Sequence, residues 1–261
     1  MKLGIVLGLV AAVAFAQAPP RPQPRPQGRA GASVDLTGYW VSVITEDWRW
    51  RMVTPVKGDA ASVPINAKGR AVVDAWDPAK DEAAGAQCKA YGAPALLRNP
   101  TRLHITWADD MTLKIEADNG TQTRLLHFGG TVPAGEAPSW QGYSSARWEA
   151  SANAGSDGGL GFILGGQRAT PRSRTMEVTT TNLREGYLRK NGVPYSAKTT
   201  LTEYFDRFSE PASASSPAAE WFTVLTMVND PEYLATSYVI TSDFRREPDG
   251  SKFNPTPCSA R

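Results

Sequence analysis

Histidine and cysteine each occur only twice in 261 residues, and the chain holds no G-x-S-x-G, no glycine-rich phosphate loop and no Cys/His cluster with metal-ligand spacing. Each shortage closes off a chemistry. Without those motifs, serine-hydrolase and nucleotide chemistry lose their nucleophile and their phosphate cradle. The two imidazoles are His104 and His127, and a metal held by both would need Glu116 or Glu203 and two inward-facing rings. Satisfied or exposed histidines are commoner, so no metal and no other cofactor is expected. Two cysteines are too few for a zinc site, and in an exported chain a lone pair is by default a disulfide, here Cys88 with Cys258. Long apolar runs are missing too: the stretch Leu3 to Ala16 is too short to cross a bilayer, so no membrane span is expected.

That stretch has another use. Lys2 precedes it, and Ala14-Phe15-Ala16 ends it with the small-x-small pattern a signal peptidase cuts, so residues 1–16 read as a signal peptide removed before Gln17. The destination is the periplasm or the medium. Residues 17–33, QAPPRPQPRPQGRAGAS, read as a Pro-rich disordered linker with nothing to bury. Four of the 28 Lys+Arg precede residue 34 and none of the 26 Asp+Glu do, which leaves 24 cations against 26 acids in the rest. A slightly acidic folded part has no electrostatic footprint for nucleic acid. Residues 34–261 are long enough for one domain with a sizeable core, and no second linker divides them.

Within that domain, strand signals dominate. Leu36 to Thr45 reads as a first strand. In Trp48 to Met52 aromatics alternate with Arg49 and Arg51 at period two, which predicts a strand with tryptophans inward and arginines in water, or one row lining a pocket. Helices are expected only near residues 66–87: Asn66 caps Ala67 to Trp76, and Asp77-Pro78 caps a second. Thr101 to Trp107, Thr112 to Asp118 and Thr121 to Phe128 form a meander turned at Asp109-Asp110 and Asn119-Gly120. Further strands are expected at Ser139 to Glu149, Leu160 to Leu164, Thr175 to Thr181, Trp221 to Val228 and Ser237 to Arg245. Lys198 to Phe208 fits either a helical stripe or a strand, and its threonines favour the strand, which puts Glu203 on one face with Leu201 and Phe205. The expectation is a mainly β fold: a single antiparallel lipocalin-like barrel of nine or ten strands, with a two-sheet sandwich as the alternative.

DLTGYW, EDWRWRM, WDPAKDEAAGAQCKAYGAPALLR, SWQGYS, TTNLREGYLRKNGVPYS, LTEYFDRF and NPTPC, spread from Asp35 to Cys258, resemble an uncharacterised family of exported bacterial β-rich proteins. By analogy of topology the order of elements is similar to that of lipocalin-like, or calycin, barrels, with Gly38-Tyr39-Trp40 standing nearest to their G-x-W signature. The resemblance supplies no catalytic residue.

For a binding surface, Leu183 to Ser196 is the densest stretch. It gathers Arg184, Tyr187, Arg189, Lys190 and Tyr195 around Asn191-Gly192, with a local net charge of +2. Together with Trp48, Arg49, Trp50 and Arg51 it predicts a site at a barrel mouth for an aromatic or amphipathic small molecule with an anionic group. The competing reading is a solvated basic hairpin. An enzyme of isomerase or hydrolase type would draw on Glu203, His104, His127 or Glu46 as acid/base residues, since desolvation raises a carboxyl toward neutrality. A third possibility is a cell-envelope interaction protein acting through its Pro-rich arm.

Overall fold

The computed structural model describes residues 26–149 and 175–260. Their strands are β1 (Gly38–Val43), β2 (Arg102–Asp109), β3 (Thr112–Ala117), β4 (Gln122–Phe128), β5 (Tyr143–Trp148), β6 (Thr175–Thr181), β7 (Gly186–Arg189), β8 (Val193–Tyr195), β9 (Thr200–Glu210), β10 (Ala219–Asn229) and β11 (Tyr238–Glu247). Nine of them close a barrel in the order β1-β11-β10-β9-β6-β5-β4-β3-β2, and β7 pairs only with β8. The expected barrel is therefore the fold. It is mixed rather than wholly antiparallel, because residues 129–142 lead back from the end of β4 to the opposite end of the wall and β5 runs parallel to β4. The expected strand at Leu160 to Leu164 and the signal peptide lie outside the described residues. Lys198 to Phe208 is a strand, as its threonines favoured.

Local chemistry sets the turns and caps. Asn66 accepts a hydrogen bond from Gly69 N at 3.0 Å and opens α2 (Ala67–Ala75), and Asp77 with Pro78 opens α3 (Pro78–Ala83). Gly120 turns the β3–β4 hairpin at φ 85°, and a Cβ there would stand 2.3 Å from the Tyr91 ring, so only glycine serves.

Strict alternation along the strands fills the interior. Trp40, Phe205, Phe222, Phe244, Phe128 and Trp148 pack with Leu103, Ile105, Leu113 and Val224 into one core, and Trp40 meets Phe222 edge to face with centroids 4.8 Å apart. The ends differ. At one, Gly28–Gly31 and Leu36 press in: Trp148 donates to Gly28 O at 2.8 Å and Trp40 to Leu36 O at 2.9 Å. The described end of the Pro-rich tract, 26–33, thus packs against the barrel instead of hanging free.

The other end carries a cap built from residues 44–101, the β7–β8 hairpin and residues 230–237. It has its own apolar core of Val63, Val73, Leu183, Leu188, Val193, Tyr195 and Leu234 over the strand ends Leu201, Val228 and Ile240. Cys88 and Cys258 lie at disulfide distance, with Cα atoms 5.1 Å apart, and tie the chain's tail to this cap.

Candidate functional site

Two stretches expected to form a site do meet in the cap, in conformations the sequence did not suggest. Trp48–Arg51 is a single helical turn, α1, entered through Asp47 at φ 54°. In a helix, positions two apart point to opposite sides, so the period-two pattern breaks: Trp48 is 69% exposed and Arg51 is 9% exposed, while Arg49 stays in water and Trp50 is half-buried. The 183–196 stretch is likewise not a solvated loop. It forms the β7–β8 hairpin sunk into the cap core, with Arg189, Asn191 and Tyr195 buried. Gly192 makes its turn at φ 82°, where a Cβ would strike the Trp76 ring at 2.3 Å.

On one side of this hairpin Trp50, Arg51, Arg98, Leu188, Arg189 and Lys190 line a recess with about 20 Å³ of enclosed space. Arg51 Nε donates to the Arg98 carbonyl at 2.9 Å. The Arg98 guanidinium is held by Glu46 at 3.0 Å, Asp47 at 2.6 Å and the Thr241 carbonyl at 2.6 Å. Arg189 Nη1 donates to Ala61 O at 2.7 Å, and its guanidinium lies 4.9 Å from the Trp50 ring centroid. Trp50 in turn donates to Asp59 at 2.9 Å, and exposed Arg49 pairs with the same carboxylate at 3.5 Å. Both Nη atoms of Arg51 and Nη2 of Arg189 are buried with no partner among the described residues. Burial, and secondarily the Arg98 charge, pull the Arg51 guanidinium down to about 10.

On the hairpin's other side lies an open groove of about 510 Å³. Val72, Ala75, Trp76, Tyr187 and Tyr233 give it an apolar floor, and Lys68, Lys80 and Lys89 flank it. Tyr187 donates to the buried Asp81 carboxylate at 2.9 Å, and Lys89 pairs with that carboxylate at 2.8 Å. Burial and then the Asp81 acceptor push the Tyr187 phenol well above its ordinary range, so it stays a donor. Lys68 stands 5.3 Å from the centroid of Tyr233.

The remaining candidates are elsewhere. Arg184 stacks on Trp140, 4.7 Å from its centroid. The Tyr195 ring is fully buried, its hydroxyl raised by burial and facing Gly92 and Gly186, so it is core and not lining.

Glu203 points into the barrel but is not an available base. Both its oxygens are taken by Arg124, whose Nη1 lies at 3.1 Å, and Arg124 also donates to Thr180 at 2.8 Å and Ser144 at 3.1 Å. His104 and His127 sit on the outer wall. His104 stacks on Tyr39 at 4.3 Å with Nδ1 3.2 Å from Glu116, and His127 stacks on Tyr143 at 4.8 Å. Glu46 is committed to Arg98 and to the Thr241 hydroxyl at 3.1 Å. Among the described residues no three His, Cys, Asp or Glu side chains group as metal ligands.

Sequence reasoning missed Arg98, Trp76, Lys68 and Tyr233. A cation closing the apolar run Ala95-Leu96-Leu97 was the available signal for Arg98, since a charge that follows a buried turn must find partners inside. The missed groove residues come from helix α2 and its C-cap and from the 230–237 turn, and nothing local in either announces the other. Set against protein families, curated proteins and solved structures, the chain matches none of them.

Proposed function

We propose that this chain is an exported binding protein for a small aromatic or amphipathic molecule carrying an anionic group, held at the capped end of the barrel rather than along its axis. The groove carries the reading. An apolar floor with three aromatic rings accepts a flat apolar body, and about 510 Å³ lies within the range of small-molecule sites. Lys80, which forms no ion pair among the described residues, is the cation open to an acidic group, while Lys68 and Lys89 are paired with Glu232 and Asp81. Export agrees with the cysteine pair, which an oxidising compartment would keep bonded. No helix among the described residues is long and apolar enough to cross a membrane. An acid/base enzyme draws no comparable support, because Glu203 is sealed against Arg124 and neither histidine faces it.

Titration with anilinonaphthalene sulfonate, an aromatic anion, tests this. Saturable fluorescence enhancement is expected for the parent, weakened roughly tenfold or more in a Tyr187→Ala, Lys80→Glu variant of unchanged circular dichroism. Equal binding by both proteins removes the groove from the site. Native mass spectrometry of protein taken from its own compartment then identifies the natural occupant.

A further inference from the structure

The recess on the far side of the hairpin poses a separate problem of charge. Arg98 has two carboxylates, Glu46 and Asp47, within ion-pair distance. Arg51 and Arg189, both more than nine-tenths buried, form no ion pair among the described residues, and three of their nitrogens face no acceptor; Glu46, Asp47 and Asp243 act on Arg51, and Asp59 on Arg189, only from beyond ion-pair distance. A guanidinium removed from water without a counter-charge costs several kcal/mol, and it cannot discharge itself near neutrality. A water molecule could accept hydrogen bonds there but would bring no negative charge into contact with either guanidinium.

We propose that this recess is a binding site for one small singly charged anion, a chloride-like ion or a single carboxylate head, seated on Arg51 Nη1 and Nη2 and on Arg189 Nη2 with Trp50 and Leu188 as its walls. The enclosed space of about 20 Å³ sets the size. It is room for roughly one water-sized sphere, which suits a halide or the leading oxygen of a carboxylate and excludes a tetrahedral oxyanion with its four oxygens. Lys190 at the rim, with its ammonium 5.0 Å from the Tyr91 centroid, adds positive potential at the entrance. The site is separate from the groove and does not depend on what binds there.

Chloride, bromide, acetate and sulfate at matched ionic strength distinguish the possibilities. In the proposed case chloride, bromide and acetate raise the thermal midpoint in a saturable, concentration-dependent way and sulfate does not. A stronger effect of acetate than of chloride identifies the carboxylate of an organic ligand as the natural occupant, and the reverse identifies a free halide. Crystals soaked in bromide should show one anomalous peak within hydrogen-bond reach of Arg51 and Arg189. Arg189→Gln should weaken the bromide effect at least about tenfold. No peak in the recess of the parent protein overturns the proposal, whether or not the variant folds. So does a peak at soaking concentration with no effect in solution, or equal stabilisation by sulfate.

Discussion

Arg124 and Arg51 are both arginines withdrawn from water, one inside the barrel and one in its cap, and they are treated in opposite ways. Arg124 is enclosed by a row of inward-facing polar residues on consecutive strands of the wall: itself on β4, Ser144 on β5, Thr180 on β6 and Glu203 on β9. Its charge is balanced and its donors are met. Arg51 has one bonded nitrogen and two idle ones. A complete polar network fixes a structure, whereas a charged group left with idle donors, as Arg51 and Arg189 are, marks a place where something else can complete it. The barrel interior thus reads as scaffold and the cap as the working end.

Substitutions at Glu203, Asp230 and Arg51 probe that contrast. Glu203→Leu should do the most damage, about 3–5 kcal/mol in urea denaturation, because it strands the Arg124 charge among apolar side chains. Adding Arg124→Leu should restore most of the loss; if the double variant is as weak as the single one, the pair contributes more than mutual compensation.

Asp230 is the intermediate case, a buried cap carboxylate answered only by neutral donors: the Thr199 hydroxyl at 2.6 Å, the Glu232 and Tyr233 amides at 2.7 and 2.8 Å, and the Ser196 amide. Burial pushes its carboxyl up, yet these bonds together outweigh it and hold the group below the usual carboxylate range. A depressed folded pKa means stability that is fully present above the unfolded value, near 4, and lost as the pH falls through the folded one. Asp230→Asn should therefore cost about 1–3 kcal/mol at neutral pH and flatten the acid limb of a stability-against-pH curve.

Arg51→Met should have the smallest effect, no more than about 1 kcal/mol in low-halide buffer, since the apolar stem is kept and an unbalanced charge is removed. Raising chloride should widen the gap in favour of the parent. A loss as large as that of Glu203→Leu in halide-free buffer would erase the difference between the two arginines.

The barrel was legible from the sequence because its determinants are local. Alternation along each strand, Asn119-Gly120 at the β3–β4 turn, and Asn66 and Asp77 as helix caps all act within a few residues. What failed to read was long-range. Glu203 was recognisable as a carboxylate among apolar neighbours, but its partner Arg124 lies 79 positions away on a strand that is not even adjacent in the wall. Arg207, four residues further along the same strand, pairs with Glu220 instead. The site suffered differently. The two segments that line the recess were singled out, while the groove took only Tyr187 from them, and α1 mimics a strand because a lone helical turn is too short for its period to show. The hairpin mimicked a surface loop because its charges are buried against carbonyls and rings from distant segments, which composition cannot reveal.

The cysteine pair spans 170 positions and so threads the chain into a covalent ring that contains every barrel strand except β1. Strand β1 is held between β2 and β11 by backbone pairing and by the packing of Trp40, with no covalent link inside that ring. The barrel is in this sense a clasp: a ring of eight strands that remains one molecule whatever happens outside it, and a ninth that shuts it. A single cut in the backbone between Val43 and Cys88 would leave the closing strand as a separate peptide, with no covalent tie to the eight strands around it.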